Sequence, residues 1–123
     1  MKVFAYDCNL ITFGTRKQFK RSFKTCPYCG EEFTAHNRKT IDHILARVNG
    51  GTNNITNEIT VCEKCNRDKS GMSLRAYIEK HPSVEEYLKE SVNEHAGQIY
   101  DNVEWSDGVK EKLLIEIGRD IFA

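Results

Sequence analysis

The chain has 123 residues, of which 39% are hydrophobic and 29% charged, and its formal net charge at pH 7 is zero. This length predicts one compact domain. The sequence contains no apolar run of about 20 residues, the length needed to cross a bilayer. Its first residues also lack the apolar core and cleavage site of a signal peptide, so we expect a cytosolic protein.

Charge is distributed unevenly along the chain. Residues 1–24 contain six basic residues and one acidic residue, residues 25–80 contain eight and seven, and residues 81–123 contain four and ten. We therefore divide the chain into a basic N-terminal segment, a core and an acidic C-terminal extension at these boundaries. The asymmetry indicates a basic surface for nucleic acid, with the acidic part held away from it. Charges that merely neutralise one another on the surface are the alternative.

Four of the five cysteines form two Cys-x-x-Cys pairs, with 32 residues between the pairs. They are Cys26 and Cys29, and Cys62 and Cys65. In a chain without a signal peptide, two such pairs predict one structural zinc ion held by four thiolates. A thioredoxin-like redox pair would not explain the second pair. Cys8 lies outside the pairs and is expected to be a small buried hydrophobic residue.

The N-terminal segment combines β-prone runs with a basic stretch. Residues 3–6 and 10–13 predict a short hairpin. In the basic stretch that follows, Phe19 and Phe23 are four residues apart and can share one face of a helix. We expect the aromatic rings to pack in the core and Lys17, Lys20 and Arg21 to contact phosphate. Basic side chains that are only solvated are the alternative.

The central segment predicts two strands and a helix. Residues 39–45 form a strand that enters a loop rich in turn residues at 48–54, and residues 57–61 alternate like a second strand. After Cys62 we expect a helix that carries Cys65, Asn66 and Lys69 and ends near Ser70.

The acidic C-terminal extension predicts helices. A capping box begins at Ser83, after Pro82, and two apolar stripes follow. They consist of Val84, Tyr87, Leu88 and Val92, and of Val109, Leu113, Leu114, Ile117 and Ile121. We expect both stripes to be core contacts, and we expect His36, His81 and His95 to lie on the surface.

The residues beside the cysteine pairs suit the hydrolysis of a phosphodiester bond. That reaction needs a base for the attacking water and a positive centre for the charge that builds up on phosphate. His43 can serve as the base near neutral pH. Asp42 and Asn66 offer hard oxygen ligands for a hydrated Mg²⁺ if the helix packs across the two strands. This ion would be distinct from the zinc, because a zinc closed by four thiolates has no open coordination position.

The order Cys-x-x-Cys, Asp-His, Asn, Cys-x-x-Cys-Asn-x-x-Lys resembles the HNH endonuclease family in its zinc-knuckle form, over residues 26–69. The resemblance implies an α+β fold built on the ββα-metal motif. It also implies that His43 is the general base, that Asp42 is a metal ligand, and that Asn57 steadies the loop between the strands. Asn66 matches the third signature position, which is His in many members. Asparagine there favours Mg²⁺ or Mn²⁺ as the catalytic ion.

The implied activity is a metal-dependent endonuclease that cuts DNA and leaves a 5′-phosphate and a 3′-hydroxyl. Homing, restriction, phage DNA processing and nicking are all compatible with it, and the resemblance implies a bacterial or phage-infected cell. Arg47, Arg67 and Lys69 are further candidates for phosphate contacts, with a solvated surface as the alternative. A non-catalytic zinc module that binds nucleic acid is the competing interpretation, but only the enzyme requires Asp42, His43 and Asn66 together. A third hypothesis makes the acidic C-terminal helices a docking surface for a protein partner.

Overall fold

A computed structural model of the chain describes residues 19–100 and 102–123. The predictions of an N-terminal hairpin, of a buried Cys8 and of a phosphate contact at Lys17 fall outside these ranges. The first regular element within them is a helical turn at residues 19–22. The rings of Phe19 and Phe23 are both fully buried and their centroids are 5.3 Å apart, so the two phenylalanines are core anchors.

Two antiparallel strands and one helix form the centre of the molecule. Strand β1 covers Lys39–His43 and strand β2 covers Glu58–Cys62. Helix α1, Glu63–Lys69, follows β2 directly and contacts both strands. It begins there because the Cys62 sulfur accepts a hydrogen bond from the backbone of Cys65, as an N-cap side chain does. The predicted α+β architecture of two strands and a helix is confirmed.

The C-terminal part contains three more helices and a second small sheet. Helix α2 covers Leu74–Lys80 and helix α3 covers Ser83–Glu94. Strands β3, Ile99–Tyr100, and β4, Val103–Glu104, form a short antiparallel hairpin before helix α4, Trp105–Ile117. Among the described residues, no helix is both long and apolar enough to cross a membrane.

The predicted capping box at Ser83 is wrong. Pro82 occupies the N-cap position in a helical conformation and makes no side-chain capping bond, so Ser83 is already the first helical residue. A proline is well suited to the start of a helix, because its backbone has no N–H that would need a partner there. The helix itself is present where the sequence predicted it.

The helices of the C-terminal part share one hydrophobic core with the central strands. The buried residues of the predicted stripes are Val84, Leu88, Val92, Val109, Leu113, Ile117 and Ile121. Tyr87 and Leu114 are 39% and 42% exposed and lie at the edge of their stripes. The fully buried Trp105 donates a hydrogen bond from its ring N–H to the Glu58 carbonyl oxygen, over 3.1 Å. This bond ties α4 to the start of β2.

The prediction that His95 lies on the surface is wrong, whereas His36 and His81 are exposed as predicted. The His95 side chain is buried and its ring is stacked on Phe23 with the centroids 3.9 Å apart. Its two ring nitrogens lie 2.8 Å from the Ser91 carbonyl oxygen and 3.1 Å from the Ser22 carbonyl oxygen. The ring therefore joins the end of α3 to the first described helical turn.

Candidate active site

The four paired cysteines converge on one point. Their sulfur atoms all lie within 4.8 Å of one another, and those of Cys29 and Cys62 are 3.9 Å apart. A tetrahedral zinc with Zn–S bonds of about 2.3 Å requires sulfurs about 3.8 Å apart. Backbone N–H groups of Tyr28 and Cys62 approach the Cys26 sulfur at 3.4 and 3.3 Å. The donor set and its spacing fit a structural zinc site closed by four thiolates.

The first cysteine pair sits on a tight turn. Gly30 has a φ of +77°, which favours glycine, and its N–H donates to the Cys26 carbonyl oxygen over 2.7 Å. A hydrogen bond from the Cys65 thiol, together with backbone N–H groups, lowers the pKa of Cys26 to about 5. Burial raises the pKa of Cys29 to about 12. A zinc ion would bind thiolates, so its binding would release the protons that remain.

Asp42 is held on the side of the strand that faces α1. Its Oδ2 accepts a hydrogen bond of 2.6 Å from the Tyr28 hydroxyl and lies 3.2 Å from the Lys69 ammonium. Burial, and then the negative charge of Asp42, raise the pKa of Tyr28 well above its usual value, so the phenol stays protonated and donates. Lys69 also donates to the His43 carbonyl oxygen over 3.3 Å. The three side chains form a buried polar network between β1, the first cysteine turn and α1.

Lys69 does not lie where a phosphate contact was predicted. Its side chain is only 1% exposed and is engaged by Asp42, so it offers no surface to a nucleic acid. The sequence placed it correctly on α1, but the face of that helix could not be read from so short an element. Lys69 instead balances the charge of a buried carboxylate, which would otherwise be costly to desolvate.

Asn66 is oriented by two hydrogen bonds. Its side-chain nitrogen donates to the Thr40 hydroxyl over 3.0 Å and to the Ile41 carbonyl oxygen over 3.3 Å. The amide nitrogen therefore faces β1, and the amide oxygen points away from these acceptors. Asp42 and Asn66 supply oxygen donors of the kind that Mg²⁺ and Mn²⁺ prefer. Tyr28 and Lys69 already engage the Asp42 carboxylate, and a divalent ion held by Asp42 and Asn66 stays a prediction from the sequence.

His43 lies at the end of β1, and its side chain is 21% exposed. Its Nε2 is 2.9 Å from Asn53 Oδ1 and 3.5 Å from Glu58 Oε2. Arg47 donates to the same Asn53 oxygen over 3.1 Å. A guanidinium group can only donate, so the Asn53 atom is an acceptor and His43 Nε2 must carry the hydrogen. In the neutral ring, the lone pair is then on Nδ1.

Asn57 closes the loop between β1 and β2 at its base. Its buried side chain accepts a hydrogen bond from the Leu45 N–H over 2.8 Å and donates to the carbonyl oxygens of Leu45 and Thr52 over 3.1 and 2.9 Å. Gly51 allows the close approach inside the loop, since a Cβ there would lie 1.7 Å from the Leu45 carbonyl oxygen. These contacts fix the chain just after His43 and just before Asn53.

Apart from Lys69, the predicted phosphate-binding cations among the described residues reach solvent. Arg21, Arg47 and Arg67 are exposed and Lys20 is partly exposed. Burial, and then the positive charges of Arg21 and Lys20, lower the pKa of Lys39. Lys39 and His43 share a face of β1, at its two ends and about 13 Å apart along the strand. Lys39 was not predicted from the sequence as a phosphate contact, although it is the first residue of the strand that carries Asp42 and His43.

An antiparallel pair of strands, crossed by a helix and joined to it by four cysteines that could hold a metal ion, defines a ββα domain. Residues 26–71 match the model of the HNH endonuclease family, and the resemblance seen in the sequence is thereby confirmed. The chain is also 35% identical, over 68 residues, to a CRISPR-associated endonuclease Cas9 from Actinomyces naeslundii. That match covers 51% of this chain and 6% of the Cas9 protein.

Proposed function

We propose that the protein is a metal-dependent endonuclease that hydrolyses DNA phosphodiester bonds, with His43 as the general base. The observation that supports this most directly is the orientation of His43 inside the HNH domain. Its Nε2 is engaged by Asn53 and Glu58, which leaves the Nδ1 lone pair to accept a proton. Nδ1 would remove a proton from a water molecule that attacks phosphorus, giving a 5′-phosphate and a 3′-hydroxyl.

The other predicted site residues take supporting roles in this proposal. Asp42 and Asn66 would hold a Mg²⁺ or Mn²⁺ ion, which when bound supplies positive charge to stabilise phosphate and leaving oxygen. Asn57 keeps the loop beside His43 in place through its three hydrogen bonds. Basic side chains would contact the DNA backbone without reading sequence. They are Lys17, Lys20, Arg21, Arg47 and Arg67, to which the structure adds Lys39.

Cleavage of a supercoiled plasmid tests the proposal. We expect the wild-type protein to nick or cut the plasmid with Mg²⁺ or Mn²⁺ and to be inactive in EDTA. His43→Ala should reduce the rate by about 10²–10⁴-fold, as expected for the loss of an acid–base group, without loss of fold. His36→Ala, which removes an exposed histidine, is the matched control and should cleave at the wild-type rate.

Two outcomes would contradict the proposal. Cleavage by His43→Ala at the wild-type rate would exclude this residue as the base. A wild-type protein that is folded and zinc-loaded, and that binds DNA but leaves it intact with every divalent ion, would favour the non-catalytic zinc module. A protein partner on the acidic C-terminal helices stays a prediction from the sequence.

A separate experiment distinguishes the two metal sites. Brief EDTA treatment and desalting should give a folded, zinc-loaded and inactive protein, because a four-thiolate site holds its metal more firmly than two oxygen ligands do. Millimolar Mg²⁺ should restore cleavage in the wild type but not in Asn66→Ala or Asp42→Asn, and neither variant should lose zinc. Full activity after desalting, with no ion added, would show that the two-site proposal is wrong.

A further inference from the structure

Glu58 is a buried acid in a strand that is otherwise built for the core. All five residues of β2 are buried, and the Glu58 side chain is only 1% exposed. Burial of a carboxylate is costly unless a partner compensates it. Its side chain lies on the face of β2 opposite Ile59 and Val61, a face that it shares with the buried Thr60 and Cys62. The role of the acid is therefore decided by what this face meets on β1.

The structure places this acid against the ring of His43. His43 and Glu58 are paired across the ladder at the end of the sheet, so their side chains are neighbours on one face. Glu58 Oε2 and Asn53 Oδ1 both lie near His43 Nε2, at 3.5 and 2.9 Å. The two acceptors differ in rigidity. Asn53 is an exposed loop residue, whereas Glu58 belongs to the sheet and its carbonyl oxygen is held by the Trp105 ring.

We propose that Glu58 is a positioning residue for His43. Its carboxylate keeps Nε2 protonated and turned into the sheet, so that Nδ1 faces the substrate side with its lone pair. Asn53 assists from the loop, but the sheet-bound acid sets the ring orientation. The functional consequence rests on the proposed role of His43 as the base, whereas the contact between the two side chains does not.

Substitutions at Glu58 test its effect on catalysis. Glu58→Leu removes the acceptor but keeps an apolar volume suited to the core, and it should lower kcat for plasmid cleavage by about 10–100-fold, the usual cost of losing an orienting partner. KM for DNA should change little, because a buried side chain does not contact DNA. Glu58→Gln retains an amide oxygen that can accept from Nε2, so its kcat should lie between those of Glu58→Leu and the wild type. Glu63→Gln is the matched control, because Glu63 pairs with the exposed Arg38 at the start of α1. It should keep the wild-type kcat.

Nitrogen-15 NMR of the histidine rings provides a readout that does not depend on activity. His43 in the wild type should be the Nε2–H tautomer. Glu58→Leu should broaden or split the ring resonances of His43, because only the exposed loop residue Asn53 then holds the ring. In Glu58→Gln the Nε2–H proton should move upfield, since a neutral acceptor replaces a charged one. This comparison decides the question even if Glu58→Leu fails to fold.

The proposal is overturned if wild-type His43 is the Nδ1–H tautomer, or if its Nε2–H resonance is unchanged in Glu58→Gln. It is also overturned if folded Glu58→Leu keeps the wild-type kcat. Should the wild-type protein fail to cleave DNA at all, the proposed nuclease function is wrong, and the NMR result still decides whether Glu58 orients His43.

Discussion

Individual charged residues of this protein have different tasks depending on which face of a strand or helix carries them. Asp42 and His43 are adjacent in sequence but contact different partners, because successive strand residues point to opposite sides. Asp42 meets Tyr28 and Lys69 on the α1 side, whereas His43 meets Asn53 and Glu58. Lys69 therefore stabilises the ββα domain, and we expect its replacement to lower the stability of the fold before anything else.

Replacement of Lys69 by methionine should lower the free energy of unfolding by about 3–5 kcal/mol, because it leaves the buried Asp42 carboxylate without its charge partner. Urea denaturation followed by circular dichroism would measure the change. Lys64→Met on the exposed side of α1 is the control, and should alter stability by less than about 0.5 kcal/mol. Equal stability of the two variants would show that the Lys69–Asp42 pair contributes nothing.

The site residues also show where sequence reasoning succeeded and where it stopped. Some of the site residues could be predicted from the sequence because they are chemically distinctive and occur at fixed spacing. They are the two cysteine pairs, Asp42, His43 and Asn66. Glu58 could not be predicted, since an acid at the start of a strand is ordinary in sequence, and only the register shows that it faces His43. The burial of His95 was missed for a related reason: its neighbours Phe23 and Ser22 are distant in sequence.

At the scale of elements, the ββα unit depends on a close contact with α4. Gly108, in the first turns of that helix, approaches Thr56 in the turn that carries Asn57. A Cβ on Gly108 would lie 2.3 Å from Thr56 Cγ2 and 2.8 Å from Thr56 Cβ. The C-terminal helix therefore supports the loop end that holds the site, which its acidic composition did not indicate.

Gly108→Ala should destabilise the protein by about 1–3 kcal/mol through overpacking. The sign of this stability change is informative, because alanine at a helical position is otherwise more stabilising than glycine by about 1 kcal/mol. The Thr56→Ser change removes the nearer of the two contacting carbons, so the double variant should recover part of the loss. Thermal unfolding would measure both effects.

Gly71→Ala provides the control for that series, since no atom lies within 4 Å of the position that its Cβ would take and its φ is not positive. Its stability should stay close to that of the wild type. A stabilising effect of Gly108→Ala would mean that α4 and the Thr56 turn are further apart than described.

The elements themselves were predictable to different degrees. Both strands and α1 could be predicted from local patterns, because turn residues and a cysteine pair mark where these elements begin and end. The α2 helix and the β3–β4 hairpin were not predicted. The hairpin has only two residues per strand, too few for an alternating pattern to be visible. The start of α2 could have been found from Ser73, whose hydroxyl caps the Ala76 N–H.

At the scale of the whole molecule, the metal site and the hydrophobic core are linked. The cysteine pairs join the turn after Phe23 to the β2–α1 junction, and the same core extends from Phe19 to Trp105 and Ile121. Residues 81–123 were predicted as an extension, but their apolar side chains belong to the same core as Ile59 and Val61 of β2. We therefore expect the ββα domain and the C-terminal helices to unfold together, as one cooperative unit.

Loss of zinc should accordingly unfold the entire protein. Cys62→Ser should lose the metal and show coincident loss of helical circular dichroism and of the buried Trp105 fluorescence signal, because structural zinc contributes folding free energy directly. Cys8→Ser is the matched control and should retain about one zinc per chain, the content that a single four-thiolate site predicts. A Cys62→Ser variant that keeps its Trp105 signal while losing metal would show that the C-terminal helices fold independently.

The hydrogen bonds of Asn57 clamp the loop between the strands at Leu45 and Thr52, and so separate the tip of the loop from its two ends. Beyond the clamp on Leu45 and Thr52 lies a solvent-exposed tip, where Val48 is 83% exposed. Asn53 and His43 lie on the other side of the clamp. Length and sequence could therefore change at residues 48–50 while the base keeps its position. If related proteins diverge in which DNA they engage, this tip is the place where insertions can accumulate without disturbing the chemistry.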